Sequence, residues 1–340
     1  MKLLRNLKNL IETNRLLSSF FDYVASTKIY QHFIRTKINQ SIVGLKKNKN
    51  YNIIIETTNY CNAKCIMCPH TSMKRSQKNM DDKTFNKIIS RLVTEKINPQ
   101  AFILNGFGEP LVDPKIIDRI KIIKNEFPNS KVKLYSNLNL ASQKIINGLI
   151  KSNLDEINIS LNGYNRQNYE MVMKIDYLKT INSLKLLIKT KKENNSQLKI
   201  RLSMTLVKHN EKSATKFIKK WGKIVDSVSV NKVHNYNNSV KDSSNKFKIN
   251  FQKKAFPCKY IWDTITFDVM GEVVLCCLDY ESKYTFGQIE TNPILKSFYS
   301  SKFENIRNKH LSSNLKDIEI CRHCYTPYKN GVEWLVKKLY

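Results

Sequence analysis

The chain has 340 residues, 41% of them hydrophobic, and 58 Lys and Arg against 28 Asp and Glu give a net charge of +30. That is enough apolar material for one large α/β domain with a small annex, or for two ordinary domains, and no apolar run reaches the roughly eighteen residues of a membrane-spanning helix. The basic excess would suit nucleic acid, an anionic membrane surface or a phosphorylated substrate. Lysine here travels with asparagine and isoleucine throughout, including an evident surface helix face at residues 185–192, so compositional bias explains it better than a focused stripe. Specific nucleic-acid binding is therefore not expected. The start lacks a signal-peptide cleavage pattern, and a cytoplasmic protein is expected.

Residues 1–50 read as a basic helical extension. Leu3, Leu4, Leu7, Leu10 and Ile11 share one helical face, and Phe20, Phe21, Val24, Tyr30, Phe33 and Ile34 continue the apolar supply. Two readings stand: peripheral membrane contact through residues 1–40, or a cap packed on the body of the protein. The breadth of the apolar face favours the cap.

Residues 51–232 alternate strands with helices. The short β-branched run 51–57 reads as a first strand. Asp81-Asp82 can cap a helix carrying Phe85, Ile88, Ile89, Leu92 and Val93 at helical spacing. A second strand is expected at 101–105, and Asp113-Pro114 reads as a helix start for Ile116, Ile117, Ile120 and Ile123. Strands at 131–135, 156–161, 199–206 and 227–231 follow, interleaved with helices that include Ile145–Ile150, Leu178–Ile188 and Phe217–Trp221. Six β-then-α units imply a parallel sheet with right-handed crossovers. The pattern alone does not choose between a doubly wound sheet and a barrel. Residues 233–257, rich in Asn, Ser and Lys, read as a linker. A back module of short strands and turns is expected over 258–324, and a short amphipathic C-terminal helix within 325–340.

The eight cysteines fall into two groups. Cys61, Cys65 and Cys68 form a three-then-two spacing on the loop after the first strand; Cys258, Cys276, Cys277, Cys321 and Cys324 lie in the back module. Metal-ligand spacing without export signals points to a reducing compartment, and disulfides are the weaker reading. A closed zinc site wants four ligands, whereas three thiolates suit a four-iron cluster with one iron left open. With the strand before it, this loop resembles the signature of radical S-adenosylmethionine enzymes.

That resemblance implies a six-stranded partial (β/α)6 TIM-type barrel and a [4Fe-4S] cluster on Cys61, Cys65 and Cys68 whose open iron binds S-adenosyl-L-methionine. Gly106-Phe107-Gly108-Glu109-Pro110 resembles the family's glycine-glycine-glutamate segment, which holds the cofactor's amino group; Phe107 stands where the first of two adjacent glycines is usual. Ser136, Asn137 and Ser160 occupy places that contact the ribose or carboxylate in similar proteins. Asn162 replaces a frequent aspartate.

The back module resembles the SPASM/Twitch extension. Cys258, Cys276, Cys321 and Cys324 would hold one auxiliary [4Fe-4S] cluster, with Cys277 spare; twelve residues separate Cys258 from Gly271, and four separate Gly271 from Cys276. A Cys₄ zinc ribbon is the alternative for these four. His323, between two of them, reads as solvent-facing or hydrogen-bonded to a ligand, and His70 either faces the site or has no role in it. The implied activity is reductive cleavage of S-adenosylmethionine, then hydrogen abstraction from an alcohol or sugar carbon of a small-molecule substrate, for which the basic surface would also admit an anionic form, leading to dehydrogenation or epimerisation. The auxiliary cluster takes up an electron, and a reducing partner such as flavodoxin or ferredoxin supplies one. A peptide maturase is the second enzymatic reading. A zinc- or iron–sulfur-binding protein that contacts nucleic acid is the non-enzymatic one.

Overall fold

The computed structural model describes residues 50–234, 257–322, 324 and 326, with single positions 14, 17, 23, 24, 27, 29, 32, 33, 36, 40, 236 and 240. The apolar face expected at 3–11, most of the linker, His323 and the helix expected at 332–339 lie outside the described residues.

Six strands, β1 (Asn50–Ile55), β2 (Asn98–Leu104), β3 (Lys131–Ser136), β4 (Glu156–Ser160), β5 (Lys199–Leu206) and β6 (Ser227–Lys232), pair in parallel in their chain order. Between them run α1 (Asp82–Thr94), α2 (Ile116–Glu126), α3 (Gln143–Lys151), α4 (Arg166–Met173) and α5 (Tyr177–Glu193), and α6 (Ala214–Trp221) precedes β6. A doubly wound sheet reverses its strand order at a switch point. Here every crossover steps the same way, and right-handed crossovers then put all the helices on one face. This is the barrel-type order expected from the resemblance.

Side chains sort accordingly. Val132, Leu134, Ile157, Ile159, Ile200, Leu202, Met204, Val228 and Val230 alternate along β3–β6 and are buried under the helices. The intervening residues point to the opposite, concave face and are half-buried and polar.

The sheet does not stop at β1. After α7 (Tyr260–Asp263), β7 (Thr264–Phe267) pairs parallel with β1 on its free edge, and β8 (Glu272–Val274) and β9 (Thr285–Gln288) add antiparallel neighbours. One nine-stranded sheet therefore runs β6-β5-β4-β3-β2-β1-β7-β8-β9. The short strands expected in the back module exist, but they extend the same sheet. Three short helices follow: α8 (Ile294–Phe298), α9 (Ser301–Leu311) and α10 (Glu319–Arg322). Glu95, just past α1, accepts from the Ile294 and Leu295 amides at 2.7 and 2.8 Å, so its carboxylate holds the start of α8. The Tyr51 and Tyr299 hydroxyls meet at 2.6 Å. Buried Arg307 lies over the Phe298 and Phe303 rings at 4.3 and 4.2 Å and donates to the Ile261 carbonyl.

Local capping explains the helix starts, with one correction. Asp81 accepts from the Thr84 amide at 2.7 Å and starts α1 as expected. Asp113 does not start α2, which begins at Ile116. Its Oδ1 accepts from the Lys115 amide, closing the preceding turn, and its Oδ2 lies 3.3 Å from buried Arg119. Val93 and Leu178, which share the spacing of the apolar faces, are exposed.

Candidate active site

The carboxyl end of β1 opens into a loop pinched at its neck. Thr58 and Asn79 form an isolated antiparallel bridge, and the Met80 amide donates to the Thr57 carbonyl at 2.9 Å. Buried Asn59 locks the same neck: its amide group donates to Ser76 O at 2.9 Å, and its side-chain oxygen accepts from Lys78 N at 2.6 Å. Cys61, Cys65 and Cys68 ride on this loop. His70 is buried with a ring nitrogen 2.9 Å from the Asn59 carbonyl, so it fastens the loop. The loop also lies across the end of α4, where the last carbonyls of a helix lack partners within it. Lys64 N donates to Met173 O at 3.3 Å and Ile66 N to Val172 O at 3.0 Å.

Burial pushes all three thiols up, Cys61 to about 12, and Cys61 and Cys65 are raised further by their neighbouring cysteines and by Glu109. Cys65 Sγ lies 3.4 Å from Met173 Sδ. Three half-buried thiols, with Cys68 opposing ionisation of Cys61 and both opposing that of Cys65, are a poor arrangement for free thiolates and a good one for a soft metal centre that supplies positive charge.

The segment after β2 comes close to this loop. A side chain on Gly108 would collide with the Thr58 and Tyr60 carbonyls, and one on Gly106 would collide with the Glu56 side chain. Glu109 N donates to Tyr60 O at 2.8 Å. The Glu109 carboxylate is buried, and accepts from Ser136 Oγ and Asn137 N, both at 2.6 Å, and from Leu111 N at 3.1 Å. Burial raises it to about 7 despite these three donors. Ser136 and Asn137 thus meet Glu109 directly, and Asn137 Nδ2 reaches back to Asn62 on the cysteine loop at 2.8 Å. Ser160, at the end of β4, is half-buried on the concave face. Asn162 is structural: its oxygen accepts from Thr205 N at 2.7 Å and its nitrogen lies 2.9 Å from Met173 Sδ.

In the back module, burial raises Cys258, Cys276, Cys277, Cys321 and Cys324, with Cys277 at about 11. Each of the first four is raised further by at least one other cysteine of the set; Cys276 is influenced by Cys277, Cys321 and Cys258. All eight cysteines are free thiols. Among the described residues no three His, Cys, Asp or Glu side chains converge closely enough to hold a single metal ion. Mutual electrostatic influence is what places the thiols in two groups. His234 lies 3.4 Å from Cys324 Sγ.

The two groups are joined by a feature that sequence spacing did not suggest. Glu56, buried immediately after β1, receives both Arg75 guanidinium nitrogens at 2.6 and 2.7 Å, Phe107 N at 2.8 Å and Val269 N at 3.2 Å. Arg75 also donates through Nε to the Tyr280 carbonyl at 2.6 Å. One ion pair thus ties together the cysteine loop, the glycine segment and the back module. Glu56, Arg75, Gly106, Phe107, Cys276 and Cys277 line one small cleft.

Two family descriptions match the sequence: "Radical SAM superfamily" over residues 55–220 and "Iron-sulfur cluster-binding domain" (SPASM) over residues 258–325. The chain belongs to the radical SAM superfamily. This radical SAM enzyme carries a SPASM domain at its back, and with it the family's [4Fe-4S] cluster, S-adenosylmethionine and an auxiliary iron–sulfur cluster. The soft thiol donor sets described above, all free and at most partly exposed, fit these groups. No curated protein matches the sequence. Solved structures similar in fold include BtrN in complex with AdoMet and 2-DOIA, at 14% identity over 81% of this chain and 92% of that one, TM-score 0.56. Streptococcus suis SuiB bound to precursor peptide SuiA gives 15%, 84%, 74% and 0.61. Native anSMEcpe with bound AdoMet gives 14%, 85%, 97% and 0.59. No helix among the described residues is long and apolar enough to cross a membrane.

Proposed function

We propose that this radical SAM enzyme acts as an oxidoreductase on an alcohol or sugar carbon of a small molecule, by dehydrogenation or epimerisation. Cys61, Cys65 and Cys68 hold the catalytic cluster, and Cys258, Cys276, Cys321 and Cys324 hold the auxiliary one, with Cys277 beside it. When bound, these groups supply a 5′-deoxyadenosyl radical that abstracts hydrogen, and an acceptor for the electron that an oxidised substrate gives up. The protein's part is positioning. Glu109, Gly106 and Gly108 receive the cofactor's amino end, Ser136 and Asn137 hold Glu109, and Ser160 faces the cofactor from β4. A flavodoxin- or ferredoxin-type partner delivers the reducing electron.

The observation that carries the oxidoreductase reading is the shared cleft. Gly106 and Phe107, from the cofactor side, line it together with Cys276 and Cys277 from the auxiliary side. The two redox regions are adjacent within one continuous sheet, an arrangement suited to moving an electron between a substrate and an acceptor.

The test is anaerobic reconstitution with iron and sulfide, then iron analysis and 5′-deoxyadenosine release with dithionite and S-adenosylmethionine. Two four-iron clusters predict about eight irons per chain, falling to about four with loss of release on Cys65→Ala. About four irons in the wild type with release retained would remove the auxiliary iron cluster and with it the electron-acceptor argument. Tightly held zinc with no release would refute the assignment of both sites.

A further inference from the structure

The concave face of β3–β6 is polar in every register row toward the strands' carboxyl ends. Tyr135, Asn158, Arg201 and Ser227 stand side by side in one row. One step further, Ser160, Ser203 and Ser229 form a row of three hydroxyls, and Thr205 and Asn231 form the row beyond. All are half-buried. A barrel interior that only has to be filled carries branched apolar side chains in these layers; none stands in these rows.

The distribution of charge narrows what could fit there. The two upper rows present hydroxyl and amide groups alone. Charge appears in the lowest row, where Arg201 is already paired with Glu156 at 2.6 Å. A further sign is Asn158: its side chain hydrogen-bonds the Tyr135 hydroxyl beside it, while its buried Oδ1 accepts no hydrogen bond within the described residues, and buried polar atoms are rarely left so. Neighbouring strands are about 4.8 Å apart and same-face residues about 6.6 Å apart along a strand. A six-membered ring bearing hydroxyls is wide enough to meet two rows at once.

We propose that these rows, apart from Ser160 on the cofactor side, are the substrate pocket and that they select an uncharged polyhydroxylated ring, a sugar or cyclitol without a phosphate. Ser203, Ser229 and Asn158 are its specificity-determining residues. Each hydroxyl of such a ring can both donate and accept, which matches serine and asparagine side chains. A phosphate would need an uncommitted guanidinium or ammonium in the upper rows, and they contain neither. The proposal rests on the radical SAM oxidoreductase reading, which supplies the chemistry at the open end of the pocket.

The test uses the full-length reconstituted protein with S-adenosylmethionine bound. Ligand-observed NMR and calorimetry measure binding of myo-inositol, scyllo-inositol, D-glucose and D-galactose, with glucose 6-phosphate for comparison. Expected is binding of at least one neutral polyol in preference to the phosphate, weakened roughly tenfold by each of Ser203→Ala and Ser229→Ala, the loss of about one hydrogen bond. Circular dichroism and thermal melts of both variants check that they fold, and Ser203→Thr, which keeps the hydroxyl, retains more affinity than Ser203→Ala. No binding of any neutral polyol, preference for the phosphate, or affinity indifferent to both alanine variants overturns the proposal. Wild-type release of 5′-deoxyadenosine, read in parallel, separates the two ideas. Release without polyol binding refutes the pocket and leaves the radical chemistry standing, whereas polyol binding without release does the reverse.

Discussion

Arg75→Met would take away the guanidinium paired with Glu56, a buried carboxylate that also serves two other segments. Glu56 is 4% exposed and Arg75 14%. Removing one partner of a buried pair costs about 3–5 kcal/mol, because the remaining charge is left without compensation. The partial exposure of Arg75 and the amides of Phe107 and Val269, which stay in place, put the expectation near the lower end, about 3 kcal/mol. Urea titration followed by tryptophan fluorescence suits the measurement, since Trp221 lies in α6 and Trp262 in α7 of the back module. The control is the same substitution in a Glu56→Gln background. With no buried charge to strand, Arg75→Met there should cost only about 1 kcal/mol, the lost hydrogen bond to Tyr280. A cost below about 1 kcal/mol in the wild-type background, or equal costs in the two backgrounds, would refute the view that this pair joins the cysteine loop to the back module.

Three further outcomes are expected. Glu109 is held near pKa 7 against an ordinary 4.5, so the ligand-free folded protein binds this proton more tightly than the unfolded chain, and its contribution to stability falls as pH rises from about 4.5 through 7. Between pH 5 and 8 the wild type should lose roughly 2–3 kcal/mol relative to Glu109→Gln in urea titrations, and parallel profiles would count against the buried, ionisable assignment. Gly108→Ala drives a methyl group into two backbone carbonyls; it should prevent S-adenosylmethionine binding by calorimetry, whereas Gly148→Ala, facing only the flexible Ile117 side chain, should not. Met173→Ala, beneath Cys65, should destabilise by about 2–5 kcal/mol in the same titrations, as large-to-small core changes do, and a loss under about 0.5 kcal/mol would mean that Met173 does not pack the cysteine loop.

What was legible in the sequence is what repeats or is closely spaced. The βα alternation of β1–β6 announces itself through β-branched runs between helix caps, and Cys61, Cys65 and Cys68 lie within eight residues. What escaped depends on contacts between distant segments. Glu56 reads as one polar residue at a strand end, and nothing near it in sequence points to Val269, 213 positions away. The pairing of β7 with β1 is hidden likewise, because a four-residue strand next to two turns looks like part of a small separate module. Helix α4 was missed for another reason. Its cap was visible, with Asn165 accepting from Asn168 N, but its eight residues bury only Tyr169, Val172 and Met173, too few to show a helical period beside the longer α5. Asp113-Pro114 misled because a capping residue two places early gives the same local pattern, and Arg119 decides which turn it serves.

The pairing of β1 with β7 also sets an order of assembly. β1 meets β2 within about fifty residues of chain, whereas its other neighbour, at Thr264–Phe267, comes more than two hundred residues later. During synthesis the strand that delivers the cysteine loop therefore keeps an uncovered edge until almost the whole chain has left the ribosome, and such edges invite wrong partners. The loop that will hold the catalytic cluster is held from both sides only at the end, so metal loading before then would act on a half-built site. A chain cut before residue 264 would keep every residue of the first cysteine group and still leave that edge bare.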